Sequence, residues 1–158
     1  MNAWKNEAAK LAVARADSLE DSGDIRGAID VLSAELIRQP KNAPLLARRG
    51  RLQYLLKQWS TALSDFSGAL AEKADAETTL YYRGMTHAQL NNIDAAIHDL
   101  TRVTKLNSKA GDAWSELGFL FRFKGNATES RRAFEKALAC DAETYDWVRT
   151  YIDTTTLD

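Results

Sequence analysis

Cysteine is almost missing from this chain. Cys140 is the only one among 158 residues, so no disulfide closes within the chain and no cysteine-built metal site forms; Cys140 itself reads as a small apolar side chain, in keeping with a reducing compartment. Histidine is scarce as well. His87 and His98 are the only two, and neither has a cysteine or acid at zinc-ligand spacing, while Asp94 and His98, four apart, read as a solvated pair. An excess of charge is also lacking: 21 Lys and Arg stand against 22 Asp and Glu, a formal net charge of −1. No global field draws such a chain onto nucleic acid or an anionic membrane. No apolar run approaches the ~20 residues needed to span a bilayer; the densest stretch, 117–123, is interrupted by Gly118 and Arg122. The first seven residues mix polar and charged side chains where a secretory signal places a basic and then an apolar segment. A glycine-rich phosphate loop, a serine nucleophile motif and paired carboxylates are all absent. The expectation is a soluble cytoplasmic protein, one domain over 1–158, with no enzymatic activity, no cofactor and no metal.

What is present is a period. Ala16, Gly50, Gly84 and Gly118 follow one another at intervals of 34 residues (50 − 16, 84 − 50 and 118 − 84), each inside a helical hydrophobic pattern. Glycine inside a helix costs roughly 1 kcal/mol relative to alanine, so its return at one phase implies that a second helix passes too close for a Cβ. A gapless alignment of 9–42, 43–76, 77–110 and 111–144 brings further columns into phase. Ala28, Ala62, Ala96 and Ser130 form a second small column, and Leu32, Phe66, Leu100 and Phe134 stand four residues later on the same helix face. Ile25, Trp59, Ile93 and Ala127 agree, as do Leu36, Leu70, Thr104 and Leu138, while Arg131 breaks the column of Ile29, Leu63 and Ile97.

Each segment holds two helical patterns. The turns inside the segments are 22–24, 57–58, 91–92 and 124–126, where Gly and Asn suit a left-handed helix end. Between segments stand 39–42, 73–75, 107–109 and 140–142. The spacing predicts helices at about 3–22, 26–39, 43–56, 60–73, 77–90, 94–107, 111–124 and 128–141 and no strand. A ninth helix at about 144–153 is predicted from Thr144 as N-cap and from Tyr145, Trp147, Val148, Tyr151 and Ile152 on one side. The polar end of the chain is expected to fray.

These hairpins resemble the tetratricopeptide repeat (TPR). The fourth segment carries the resemblance best, with Trp114, Leu117, Gly118 and Phe121 in the first helix and Phe134 and Ala137 in the second, Ser130 replacing the usual alanine. Ala12 and Ala16 depart from the large residue and glycine of the family, so the first repeat is expected to pack less tightly, and the family's proline survives only as Pro40. The resemblance implies an all-α, right-handed α-α superhelix: a solenoid of four hairpins plus a C-terminal capping helix, whose first helices line a concave groove. HEAT and armadillo units, at ~40–47 residues, are too long for the gapless alignment. Pentatricopeptide repeats would require base-reading residues and a basic groove, neither of which recurs here.

On that resemblance the groove carries Asp17, Arg48, Arg51, Tyr54, Tyr81, Tyr82, Met85, Glu116, Phe119, Arg122 and Phe123. Aromatic and Arg anchors of this kind are what protein interfaces use, and they point to capture of a peptide or helical segment of a partner protein. Packing between neighbouring first helices is the other reading of these rings, above all of Tyr54 and Phe123. Family members that hold acidic chaperone tails use a clamp of Lys, Asn and Arg, whereas the corresponding slots here carry Val13, Asp17, Arg48, Thr78 and Tyr82, or Ala47, Arg51, Tyr82, Asp112 and Glu116. Arg15, Arg49 and Arg83 recur at the 34-residue interval and read either as an anion-binding ladder or as stems covering the hairpin interface.

Two other roles remain open at this point. One is an inhibitor or immunity-type protein that blocks an enzyme through the acidic Asp17, Glu20 and Asp21. The other is a self-assembling scaffold, monomer to weak homodimer, joined through Trp4 and Trp147 at the repeat ends.

Overall fold

In the computed structural model, which describes residues 3–72 and 76–154, the 34-residue period becomes a succession of helical hairpins. The elements are α1 (Ala3–Asp21), α2 (Ile25–Arg38), α3 (Ala43–Leu55), α4 (Trp59–Ala71), α5 (Ala76–Gln89), α6 (Ile93–Leu106), α7 (Gly111–Phe123), α8 (Ala127–Cys140), a 3-10 turn (Asp146–Val148) and α9 (Arg149–Thr154). Among the described residues all regular structure is helical. The side chain of Trp4, the 73–75 boundary and residues 155–158 lie outside the described residues.

One residue in each hairpin turn adopts positive φ: Gly23 at 85°, Lys57 at 58°, Asn91 at 60° and Gly125 at 74°. These four also stand 34 apart. At each turn the left-handed residue donates to the carbonyl three residues back, and the next residue to the carbonyl five back, as Lys57 N to Tyr54 O and Gln58 N to Gln53 O, both 2.9 Å. That pair of bonds satisfies carbonyls the ending helix leaves free. Lys57 carries a Cβ penalty that glycine escapes. The second helices then start on side-chain caps in two hairpins, Asp24 accepting from Gly27 N at 2.9 Å and Asn126 from Glu129 N at 3.2 Å.

The chain forms two compact units, Met1–Thr86 and His87–Asp158, with the division inside α5. In the first, α1 packs on α2, α2 on α3 and α3 on α4. Its core joins Ala12, Ala16, Ala28, Leu32, Leu45 and Leu52. In the second, α6 packs on α7, α7 on α8, and α8 on the 3-10 turn and α9, around Ala113, Leu117, Phe134, Ala137 and Val148.

The small column does what the sequence implies. A Cβ built on Gly50 would lie 2.9 Å from Phe66 Cε1, and one built on Gly118 would lie 2.4 Å from Phe134 Cε1. Both rings therefore press on helix backbone across their own hairpin. Ser130, the exception among the small alanines, is fully buried and donates its hydroxyl to Gly118 O at 2.8 Å, which satisfies the one polar atom the substitution adds.

The ninth helix differs from its expected form. Thr144 is not its N-cap: the Asp141 carboxylate, just past α8, accepts from Glu143 N at 3.0 Å, Thr144 N at 3.2 Å and Thr144 Oγ1 at 2.6 Å. These bonds hold residues 142–145 in a turn and lower the Asp141 pKa, the Thr144 hydroxyl contributing most. Helix starts only after it, as the 3-10 turn and then α9.

Candidate functional site

In the first unit the first-helix faces of α1 and α3 are joined by charge. Arg48 Nη2 bonds Asp17 Oδ1 and lies 2.8 Å from Glu20 Oε2; Arg51 Nη2 lies 2.6 and 2.5 Å from the two Glu20 oxygens. All four side chains keep some exposure, so each pair is worth at most about 1 kcal/mol. The arrangement spends the two arginines and two of the three acids of the expected acidic patch on one another.

Beside this network runs a row of rings. Tyr54 stands edge-on to Trp59 at 5.1 Å and to Tyr82 at 5.6 Å; Tyr82 stacks on Phe66 at 6.1 Å and meets Tyr81 edge-on at 5.6 Å. Such pairs are worth ~0.5–1.5 kcal/mol each beyond area. Phe66 is buried, whereas Tyr54, Tyr81, Tyr82 and Met85 are half-buried and Leu55 is exposed. Tyr54 and Tyr82 each pack on neighbouring rings and keep part of their surface.

The arginine column has a structural use at Arg49. Its Nε and Nη2 bond both oxygens of the buried Asp65 carboxylate at 2.7 and 2.8 Å, and Nη1 donates to Ser33 Oγ at 3.1 Å. Hydrogen bonding to Asp65 raises the Arg49 pKa, burial opposing it. Arg15 is exposed and Arg83 half-buried.

In the second unit the α7 face carries different chemistry. Glu116 is half-buried and its pKa is raised, first by burial and then by Asp112 one helical turn away. Asp112 accepts from the Tyr145 hydroxyl at 2.7 Å, and burial together with that bond pushes the Tyr145 pKa up to about 12. The Tyr145 ring fills the space that a Cβ on Gly111 would need, Cε2 lying 2.3 Å from that position. Phe119, expected to face a groove, is half-buried under the C-terminal segment: Trp147 stacks on it at 5.7 Å and 8°, and Phe134 and Tyr151 meet it edge-on at 5.1 Å. Arg122 lies over the Tyr151 ring at 5.3 Å, and Phe123 is 72% exposed.

The Asp94–His98 pair does not form, because Asp94 bonds Lys124 Nζ and His98 Nδ1 lies 3.5 Å from Asp99. Cys140 is half-buried, its Sγ 3.7 Å from Ser108 O. Among the described residues no cluster of His, Cys, Asp and Glu can hold a metal ion, and no helix is long and apolar enough to cross a membrane.

Repeated hairpins, in-phase small residues and recurrent turns define a helical-repeat protein. The tetratricopeptide repeat model matches residues 13–77 and 81–143, and the chain belongs to that family. It is 30% identical over 93 residues to the Protein SGT1 homolog of Bos taurus, covering 58% of this chain and 28% of that protein. The chain thus spans less than a third of that relative. Among solved structures it is similar to MamA (TM-score 0.81, 20% identity, 96% of this chain and 87% of the other) and to YrrB, described as a TPR protein with an unusual peptide-binding site (0.83, 18%, 93% and 75%). The first TPR of Spaghetti (RPAP3), bound to the HSP90 peptide SRMEEVD, is also similar (TM-score 0.70, 23% identity, 75% and 97%). At these identities the likeness establishes the fold, an all-α solenoid of TPR hairpins.

Proposed function

We propose that this chain, its residues 1–158 serving as one repeat domain, is a noncatalytic protein-interaction module that takes up a peptide or helical segment of a partner on its first-helix faces. The observation that carries this reading is the half-buried row of Tyr54, Tyr82 and Tyr81 beside Met85 and exposed Leu55. Rigid aromatic side chains give large contact area at low entropic cost, and Arg48 and Arg51 beside them are already oriented by Glu20. Structural relatives that engage peptides support the mode of action. The ligand differs in kind from an acidic chaperone tail, because Arg48 and Arg51 are engaged by acids of this chain and the other clamp slots hold no Lys or Asn.

On α7 the like-charged Asp112 and Glu116 favour a basic group of the partner, an arrangement that lacks a cation among the described residues. An enzyme inhibitor working through Asp17 and Glu20 has less support, since both carboxylates are paired internally. Affinity purification from the native cell tests the proposal: a partner captured by the wild-type chain is expected to be lost with Tyr81→Ala while helical content and melting temperature stay close to wild type. Undiminished capture by that variant sinks the reading.

A further inference from the structure

We infer that the α1–α2 face docks a second copy of this chain through a two-fold contact. The 34-residue columns identify what is unusual there. Leu45, Thr79 and Ala113 share a column with Leu11 and are at most 2% exposed, whereas Leu11 is 65% exposed. In the second hairpin the cover is α2, which packs on α3 and supplies Ser33 to Arg49. Arg15 stands in the Arg49 column but has Val31 where Asp65 would be, is exposed, and its side chain bonds no described residue. The first hairpin thus presents an apolar knob and a guanidinium whose counterparts one repeat later are buried and bonded by a neighbouring helix.

The surface beside the knob suits a copy of itself. A cleft of about 470 Å³ between α1 and α2 is walled by Leu11 itself with the short side chains of Ala12 and Val31, and carries Arg15, Asp30 and Arg38. Asp30 and Arg38 are exposed and their side chains are likewise unpaired among the described residues. A face of one sign repels its own copy; this one carries both signs around apolar ground. A two-fold contact sets residue i against j and j against i, so Arg15 of each copy meets Asp30 of the other while each Leu11 enters the opposite cleft. Charge complementarity of this kind fixes the register, and the buried leucines supply affinity. The proposal is independent of the partner reading above, which concerns the opposite helix faces and different residues.

Sedimentation equilibrium of the full chain across the micromolar range tests it. The mean mass is expected to climb from monomer toward dimer, and Leu11→Glu, a change at an exposed position, to remain monomeric with unaltered circular dichroism. Arg15→Glu and Asp30→Arg are each expected to weaken the dimer by roughly tenfold, and the double variant, with the charges exchanged, to recover it. Trp147→Ala should leave the dimer intact. A monomer at every concentration, a dimer indifferent to Leu11→Glu, or a double variant as weak as the singles overturns the proposal.

Discussion

The second and fourth hairpins share one backbone plan and stabilise it by different chemistry. In α3–α4, Arg49 and Asp65 form a bidentate pair across the hairpin, and Arg48 and Arg51 reach acids on α1. In α7–α8 the columns of Arg49 and Asp65 are occupied by Leu117 and Ala133, both buried, and the first-helix face is covered by Trp147, Tyr151 and Tyr145. The exchange involves both partners at once. That is what the energetics of burial require, because a lone charge left in such a place is costly while a complete apolar pair is not. A repeat fold therefore fixes which positions must be filled and leaves open whether ions or hydrocarbons fill them.

The aromatic half of the comparison gives the largest effect. Phe119 touches three rings and is half-buried, so Phe119→Ala is expected to cost about 3 kcal/mol. Tyr81 stands edge-on to Tyr82 and keeps part of its surface, so Tyr81→Ala is expected to cost about 1 kcal/mol, less than Phe119→Ala. Urea denaturation of both variants checks the pair. Equal losses would mean that the rings of the first unit are structural too, and would remove the main support for a binding role there.

The ionic half predicts a smaller and non-additive pattern. Asp65→Ala leaves a partly buried guanidinium without its acceptor and is expected to cost about 2 kcal/mol, discounted for the exposure that Arg49 retains. Arg49→Leu with Asp65→Ala transplants the solution of the fourth hairpin into the second and is expected to return to within about 1 kcal/mol of wild type. A double-mutant cycle by denaturant melts measures the coupling. Additive losses would break the equivalence of the two hairpins.

The hairpins themselves were legible in the sequence because their cause is local and periodic. A helix that must admit the ring of Phe66 or Phe134 has room for nothing larger than glycine at Gly50 or Gly118, and that demand repeats with the fold. Helix limits came within a residue or two for the same reason, since each turn uses the same left-handed residue and the same two bonds. Lys57 shows the limit of reading residue type: the turn geometry is imposed by the hairpin and overrides an unfavourable side chain.

The candidate site was less legible. Its residues were named by register, and register says which face a side chain leaves from, not what comes to meet it. Arg48 and Arg51 could be placed on a face from their numbers, but their neutralisation depends on Asp17 and Glu20 about 30 positions earlier. What meets Phe119 follows from the turn held by Asp141, after which Trp147 and Tyr151 pack on its ring, and no periodicity encodes that turn. Gly111 carried a signal that could have been used. It opens α7 where glycine has no capping role, and the reason is the Tyr145 ring against it.

The smallest effect separates the two acidic environments. Glu20 on α1 is met by two arginines, while Glu116 on α7 is met by burial and by Asp112. Burial first and the neighbouring carboxylate second raise the Glu116 pKa above its ordinary 4.5. The folded state then holds this proton more tightly than the unfolded chain does. The resulting contribution to stability is complete below the unfolded value and is lost as pH rises through the folded one. At neutral pH the ionised side chain opposes folding, and Glu116→Gln is expected to raise the melting temperature slightly there, with the gain fading toward acid pH. Glu20→Gln is expected to lower it at neutral pH, since two guanidinium groups lose their shared acceptor. Melting curves of both variants from acid to neutral pH decide the matter. A destabilising Glu116→Gln would show that a cation of this chain already serves Glu116, and with it would go the reason to expect a basic group from a partner.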